Sequence, residues 1–305
     1  MLNKKVATGP PKPFGFLNAD KPPGPTSHDI VDRVRRLLPR KCKAGHAGTL
    51  DPFAGGVMVL CIGQATRLAE YVQVMPKEYL ATVTLGITST TGDPEGSLVP
   101  VPGASPPAPE SVRKTLEDFT GEITQVPPRH SAIHVDGRRA YQLARNGRYF
   151  DLPVRDVGIY AIELIEFEYP RLQISVRCGS GTYIRSLAED IGRSLGCGGY
   201  CSRLKRIAVG SFTADKAVGI DDIDLKRDLL EPLEYLEIPR LDISETELEE
   251  ISHGHPIPLQ DTYSDNNKHI ALVDHKGQLA AVCRADIEKG KIKPMKVFCS
   301  PRNRP

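Results

Sequence analysis

The sequence predicts an α+β chain of two unequal domains, and three observations carry that expectation. Its 305 residues exceed one typical domain. As far as about residue 236, segments with strand alternation are interleaved with segments of helical spacing. Beyond that point short β-like runs follow one another between glycine-containing turns: Ile270 to Val273, Leu279 to Cys283 and Met295 to Phe298. With 40% hydrophobic residues the chain can fill a core, and 26% charged residues is ordinary for a globular protein.

Residues 1–12 are polar and proline-rich and read as a loose tail. Phe14 to Asp20 reads as a short strand that leads into a stiff turn, Lys21-Pro22-Pro23-Gly24-Pro25. Ser27 is expected to cap a helix whose Ile30, Val31, Val34, Leu37 and Leu38 share one face, the other face being largely arginine. Lys21 has two readings: an ordinary salt-bridged surface lysine, or a charge that buttresses a site.

The stretch from Lys43 to Leu60 organises the chain. It sets one carboxylate, Asp51, in a loop with glycines at 45, 48, 55 and 56. Glycine admits positive φ and lets another molecule approach the main chain closely. Pro52 fixes the exit direction and biases Asp51 toward an extended conformation. Val57 to Ile62 reads as a buried strand that would hold the loop rigidly. A lone aspartate in a loop is commonly a turn former or helix cap. Here His46 precedes it and no helical pattern follows directly, which favours a site.

Ala65, Leu68, Ala69 and Val72 outline a helix. Glu78 to Gly86 then alternates strictly, putting Tyr79, Ala81, Val83 and Leu85 on the core-facing side. A buried tyrosine needs a partner for its hydroxyl, so Tyr79 is either a core residue bonded to backbone or part of a site. Residues 88–109 show little periodicity and read as a surface excursion. Val112, Leu116 and Phe119 mark a modest helix, and Asp136-Gly137 is a hairpin turn signal. Leu172, Ile174, Val176 and Cys178 mark a half-buried strand. It runs through Gly179-Ser180-Gly181-Thr182-Tyr183 into a helix carrying Ile184, Leu187, Ala188 and Ile191. That order is akin to an anion-binding loop, yet neither a full Gly-x-Gly-x-x-Gly nor a P-loop is present. Arg185 falls in the first helical turn, where the helix dipole disfavours a cation, so an anionic partner is expected. Residues 221–250 are acidic and interrupted by Pro232 and Pro239, which places a junction near 236 and divides the chain into 1–12, 13–236 and 237–305.

A formal net charge of +2 excludes a uniformly basic surface, so a polyanion would have to be met by local patches. These occur at Arg33 to Lys43, Arg138 to Arg148, Arg203 to Arg206 and Lys289 to Lys296, three of them beside suspected site residues, and they point toward nucleic acid. Seven scattered cysteines argue against a disulfide framework and for a reducing compartment. Cys197 and Cys201 lack a second pair at zinc spacing, so no metal is expected. No apolar run approaches a membrane span or a signal-peptide core, and the expectation is a soluble cytoplasmic protein.

Gly45-His46-Ala47-Gly48-Thr49-Leu50-Asp51-Pro52, Lys77-Glu78-Tyr79 and Gly181-Thr182-Tyr183-Ile184-Arg185 together closely resemble the TruB family of tRNA pseudouridine synthases. Lys21-Pro22 with Gly24, Thr26 and Ser27, Pro127-Pro128 through Ser131-Ala132, and Leu204-Lys205-Arg206 match further family motifs, and Lys293 to Phe298 is similar to the end of the family's PUA-like domain. The resemblance implies a pseudouridine synthase fold: a central mixed, mostly antiparallel β-sheet flanked by helices, plus a small C-terminal PUA-like RNA-binding β domain. It implies isomerisation of uridine 55 in the tRNA T-loop to pseudouridine, with the base flipped out of its stack. By the same resemblance Asp51 is the nucleophile or base, and Tyr79 stacks on the target base and takes part in proton removal at its C5. Arg185 pairs with Asp51. His46 enters the T-loop in place of flipped bases, Tyr183 and Leu204 line the uridine pocket, and Lys21 joins the substrate-binding set. The implied partner is the T-arm stem-loop of tRNA, met by a monomer without metal, small-molecule cofactor or membrane.

The chemistry asks for such residue types. Cleaving an N-glycosidic bond needs a carboxylate, either to trap the anomeric carbon or to remove a neighbouring proton, and both routes stay open. Burial would raise that acid's pKa while a nearby guanidinium favours its anion. A base leaving its stack needs an apolar or aromatic pocket. An isomerisation uses no redox step and no group donor. Departures from the family pattern are few: Gly55 stands where Thr or Ser is common and is expected to loosen the loop, His134 replaces a frequent lysine, and Lys205 replaces an arginine, losing bidentate phosphate binding. Two rivals remain on sequence grounds. A non-catalytic RNA-binding or chaperone protein would lack Asp51, Tyr79 or Arg185, and a glycoside hydrolase would need a second carboxylate near Asp51.

Overall fold

Strand alternation decides the centre of the fold: in Lys77–Leu85, Tyr79, Ala81, Val83 and Leu85 are buried while Leu80 is exposed. The computed structural model, which describes residues 13–128, 134–135, 138–139, 152–259 and 269–299, places this strand inside a ten-stranded sheet. Eight strands run in the order Val218–Gly219, Gly15–Lys21, Gly55–Ile62, Gly199–Val209, Lys77–Leu85, Arg171–Cys178, Arg155–Glu168 and Gly121–Gln125. Ala44–His46 joins beside Gly55–Ile62, and Phe212–Thr213 beside Gly199–Val209. Gly15–Lys21 runs parallel to Val218–Gly219, and Gly55–Ile62 parallel to Gly199–Val209. The other pairings are antiparallel, so the sheet is mixed and mostly antiparallel, as expected.

Gly55–Ile62 is buried along its whole length because both its faces are covered. Met58, Leu60 and Ile62 point into a core shared with the helices Ser27–Leu37, Pro109–Asp118 and Ile184–Ser194. Val57, Val59 and Cys61 point the other way, into a cluster with Leu68, Val72, Ala271, Val273, Leu279 and Val282. The last four belong to a second sheet, which therefore packs against the back of the first. Its five strands run in the order Arg240–Asp242, His269–Val273, Leu279–Asp286, Lys291–Val297, Ile257–Pro258. Phe14 stacks on Phe298 at 5.3 Å, and Lys296 pairs with Glu70, joining the two sheets at their rim. Part of the acidic 221–250 region forms the helix Glu245–Ser252, closed by a capping box between Ser244 and Glu247.

Several local expectations are corrected. Thr26, not Ser27, caps the first helix, through a capping box with Asp29. The segment after Ile62 is a 3-10 turn, Gly63–Leu68, before the helix Ala69–Gln73. The 88–109 excursion is partly a hairpin, with Ile87–Ser89 pairing Leu98–Pro100, and it turns Asp93 inward to 3% exposure. Gly55 does not loosen its loop: a Cβ there would stand 3.1 Å from the Lys21 carbonyl oxygen, so the position is tight. Gly56 has φ +99°, and a Cβ on it would come 2.1 Å from the Arg206 carbonyl oxygen, which only glycine avoids. His134 and Val135 pair Arg139 and Arg138 on either side of Asp136-Gly137. The tail 1–12, the motif residues after Pro128 up to Ala132, and the basic residues Arg145 and Arg148 lie outside the described residues.

Candidate active site

Side chains from three elements hold the loop that carries Asp51. Lys21 ends the Gly15–Lys21 strand beneath it, its Nζ 2.7 Å from Ala54 O, 3.1 Å from Pro22 O, and 3.2 Å from both Asp51 O and Pro52 O. Ser27 Oγ grips Leu50 twice, accepting from its N–H and donating to its C=O, each at 2.8 Å. Arg206, on Gly199–Val209, donates to Val57 O at 2.8 Å, Gly48 O at 3.1 Å and Thr49 O at 3.4 Å. The turn is closed by its own backbone as well, Ala54 N–H donating to Asp51 O and Gly24 N–H to Pro52 O. Each carbonyl so bound is one the loop could not otherwise cover away from water.

Lys21 is thereby corrected as a substrate-binding residue. It is 1% exposed and its ammonium is spent on main-chain carbonyls, so it is the buttress of the second sequence reading. Burial lowers its pKa to about 8, against the pull of Asp51, which leaves it charged at neutral pH. Replacing Lys21 with Met removes the donor these carbonyls share. The expected result is a loss of about 1–3 kcal/mol of unfolding free energy in urea denaturation. An unchanged midpoint and slope would mean the carbonyls find other partners.

With its main chain fixed, Asp51 presents its carboxylate to Arg185. Arg185 Nε lies 2.9 Å from Oδ2, and Nη2 donates to Oδ1 at 3.3 Å. Arg185 is the second residue of the Ile184–Ser194 helix, so its charge sits at the unfavourable dipole end, and not one but two acids answer it. Nη1 donates to Asp93 Oδ2 at 2.8 Å and to Thr91 O at 3.1 Å. Asp93 is held in turn by Thr91 Oγ1 at 2.5 Å and by the Glu95 N–H at 3.0 Å. Side-chain exposure separates the members: 4% for Arg185 and for Asp93, 31% for Asp51. Asp51 is the one a ligand can reach. Burial pushes its carboxyl above the ordinary aspartate range, Arg185 gives the largest opposing pull, and Asp93 adds to the rise.

Tyr79 lies across the ladder from Arg206 on one side and Val176 on the other. Burial raises its phenol pKa, opposed by hydrogen bonding and charge from Arg206, so it is a neutral phenol at pH 7. Leu204 faces the same side, opposite Ala81, and both it and Tyr79 belong to the core shared with the helices. His46 ends Ala44–His46, and its Nδ1 accepts from the Gly48 N–H at 3.4 Å. Tyr183 caps the Arg185 helix, with the Arg155 guanidinium over its ring at 5.5 Å. Arg185 pairs with Asp51 and pulls its pKa down, and Asp51 in turn adds to the rise of the Tyr79 phenol, so Asp51 lies within electrostatic reach of both.

Sequence reasoning missed Asp93, Gln125, Arg155 and the structural part played by Arg206. Arg206 belongs in sequence to a basic run, yet it is 3% exposed; its position opposite Gly56 in the sheet makes it internal. Asp93 lies in a stretch without periodicity, where nothing local distinguishes a buried acid from a solvated one.

A partly exposed carboxylate held by a buried guanidinium, with a buried phenol near enough to feel its charge, suits nucleophilic or general-base chemistry. The fold is shared with chains of solved complexes. The structure titled "Crystal Structure of a Cbf5-Nop10-Gar1 Complex" aligns with a TM-score of 0.70 at 27% identity, over 98% of this chain and 93% of that one. An H/ACA RNP bound to a substrate RNA containing 2'-deoxyuridine aligns with a TM-score of 0.68 at 25% identity, over 98% of this chain and 93% of that one. Residues 35–184 match the TruB family pseudouridylate synthase N-terminal domain, and 185–236 the tRNA pseudouridylate synthase B C-terminal domain. Among relatives named tRNA pseudouridine synthase B, that of Syntrophomonas wolfei is 39% identical over 93% of this chain and 98% of its own. That of Dehalococcoides mccartyi strain 195 is 38% identical over 94% and 97%. The chain belongs to the TruB family of tRNA pseudouridine synthases, enzymes that isomerise uridine to pseudouridine in tRNA. Among the described residues no helix is long and apolar enough to cross a membrane.

Proposed function

We propose that the target is uridine 55 of the tRNA T-loop, flipped into the cleft above Asp51, and that Asp51, Arg185 and Tyr79 carry the reaction. The observation that supports this most directly is the unequal exposure of the Asp51–Arg185–Asp93 cluster, which leaves one carboxylate open and fixes everything behind it. Asp51 acts at the ribose, as nucleophile on C1′ or as base on a neighbouring proton, while the N1–C1′ bond breaks. The base turns and C5 bonds to C1′ as the Asp51–C1′ bond breaks or the borrowed ribose proton returns; the C5 proton leaves as N1 regains one, so atoms balance without a donor. Tyr79 stacks on the base and takes part in removing the C5 proton. Tyr183 and Leu204 line the pocket, and His46 takes the place of the bases that leave the T-loop stack.

Residues 237–305 serve as the PUA-like RNA-binding domain, for which the exposed Arg284 supplies a cation, while Lys293 across the ladder from it is paired with Asp286 at 2.8 Å. The enzyme works as a cytoplasmic monomer without metal or cofactor. The glycosidase alternative fares worse, because Asp93 is buried against Arg185 and has no reach to protonate a leaving oxygen. Incubating the purified protein with an unmodified T-arm hairpin, nothing else added, and mapping pseudouridine is expected to show conversion at the uridine equivalent to position 55. Modification elsewhere in intact tRNA but never there would overturn the target.

A further inference from the structure

Tyr183 is held from two directions by residues of the sheet edge. Gln125, fully buried on Gly121–Gln125, clasps its main chain: Oε1 accepts from the Tyr183 N–H at 3.0 Å and Nε2 donates to the Tyr183 C=O at 3.3 Å. A side-chain amide here does what a neighbouring strand would do, fixing residue 183 where the sheet ends and the helix begins. Arg155 is the cross-strand partner of Gln125, and its guanidinium carbon lies 5.5 Å from the centroid of the Tyr183 ring. At that distance the cation meets the negative face of the ring. Among the described residues Arg155 forms no ion pair with a carboxylate, and the ring is the contact of its guanidinium there.

We infer that Gln125 and Arg155 are positioning residues: Gln125 fixes where Tyr183 sits, and Arg155 fixes the plane its ring presents to the uracil. The inference rests on the reading that Tyr183 lines the uridine pocket. It also explains why the edge strand Gly121–Gln125 and its neighbour Arg155–Glu168, which carry none of the proposed reacting groups, bear on the site.

The test is a double-mutant cycle under single-turnover and steady-state conditions. Arg155→Ala is expected to lower kcat about tenfold with KM within about twofold, because a misplaced wall costs orientation rather than affinity. In a Tyr183→Leu background the same change should cost less than about twofold, since there is no ring left to orient. Arg155→Lys should recover part of the loss, retaining the cation over the ring without the planar fork. Arg155→Gln, checked by urea denaturation, serves if the alanine variant does not fold. Additive losses in the two backgrounds would overturn the inference. So would a loss confined to KM with a salt slope reduced by about one, the mark of a phosphate contact. A wild-type protein that makes no pseudouridine would instead sink the functional reading, and the two failures are distinguishable.

Discussion

Asp51→Asn is expected to stop pseudouridine formation, by more than about 10³-fold in single turnover, while tRNA affinity stays within about tenfold. The substitution is nearly isosteric, and the loop is held by Lys21, Ser27 and Arg206 through backbone atoms that the change leaves alone. Arg185 keeps its buried contact with Asp93, so no guanidinium is stranded. What disappears is the one exposed negative charge of the cluster. Filter binding together with pseudouridine mapping checks both halves of the expectation. Substantial turnover would remove Asp51 from the chemistry, and lost affinity with lost turnover would mean that the loop itself had moved.

Much of this geometry was legible in the sequence because it is local or periodic. The buried strand after Asp51, the alternation around Tyr79 and the strand–turn–helix entry to Arg185 follow from side-chain period and glycine placement, and the structure has each. The dipole argument that Arg185 needs an anion held too, though it could not say that the anions would be two. Asp93 comes from a hairpin in an aperiodic stretch, and its burial depends on a helix ninety-odd positions away in the chain. Lys21 and Arg206 misled for the opposite reason. Long cations are mostly solvated, and the cost of burying them is met here by carbonyls of a loop whose path no residue pattern shows.

Arg185→Ala should be as damaging as loss of Asp51, for electrostatic reasons that leave a separate signature. Arg185 and Asp93 are each 4% exposed, so removing the cation leaves a buried carboxylate without its charge partner and two acids sharing one enclosure. Breaking a buried pair in this way costs about 3–5 kcal/mol, expected as a lower urea midpoint. Asp51 already titrates above the ordinary aspartate range, and Arg185 is the main influence holding it down. Without that influence its pKa climbs further. If the reaction needs the anion, the acid limb of the single-turnover rate then moves to higher pH than in the wild type. Stability moves the other way: a carboxyl whose folded pKa is raised supports folding most below the unfolded value of about 3.9 and loses that support as pH rises through the folded one. Arg185→Lys restores the charge but spans only part of the two-carboxylate contact, so it should fall between wild type and alanine on both readouts. A mild defect with an unmoved acid limb would show that the guanidinium does not govern the ionisation of Asp51, and the proposed reaction would lose its reason for placing the two together.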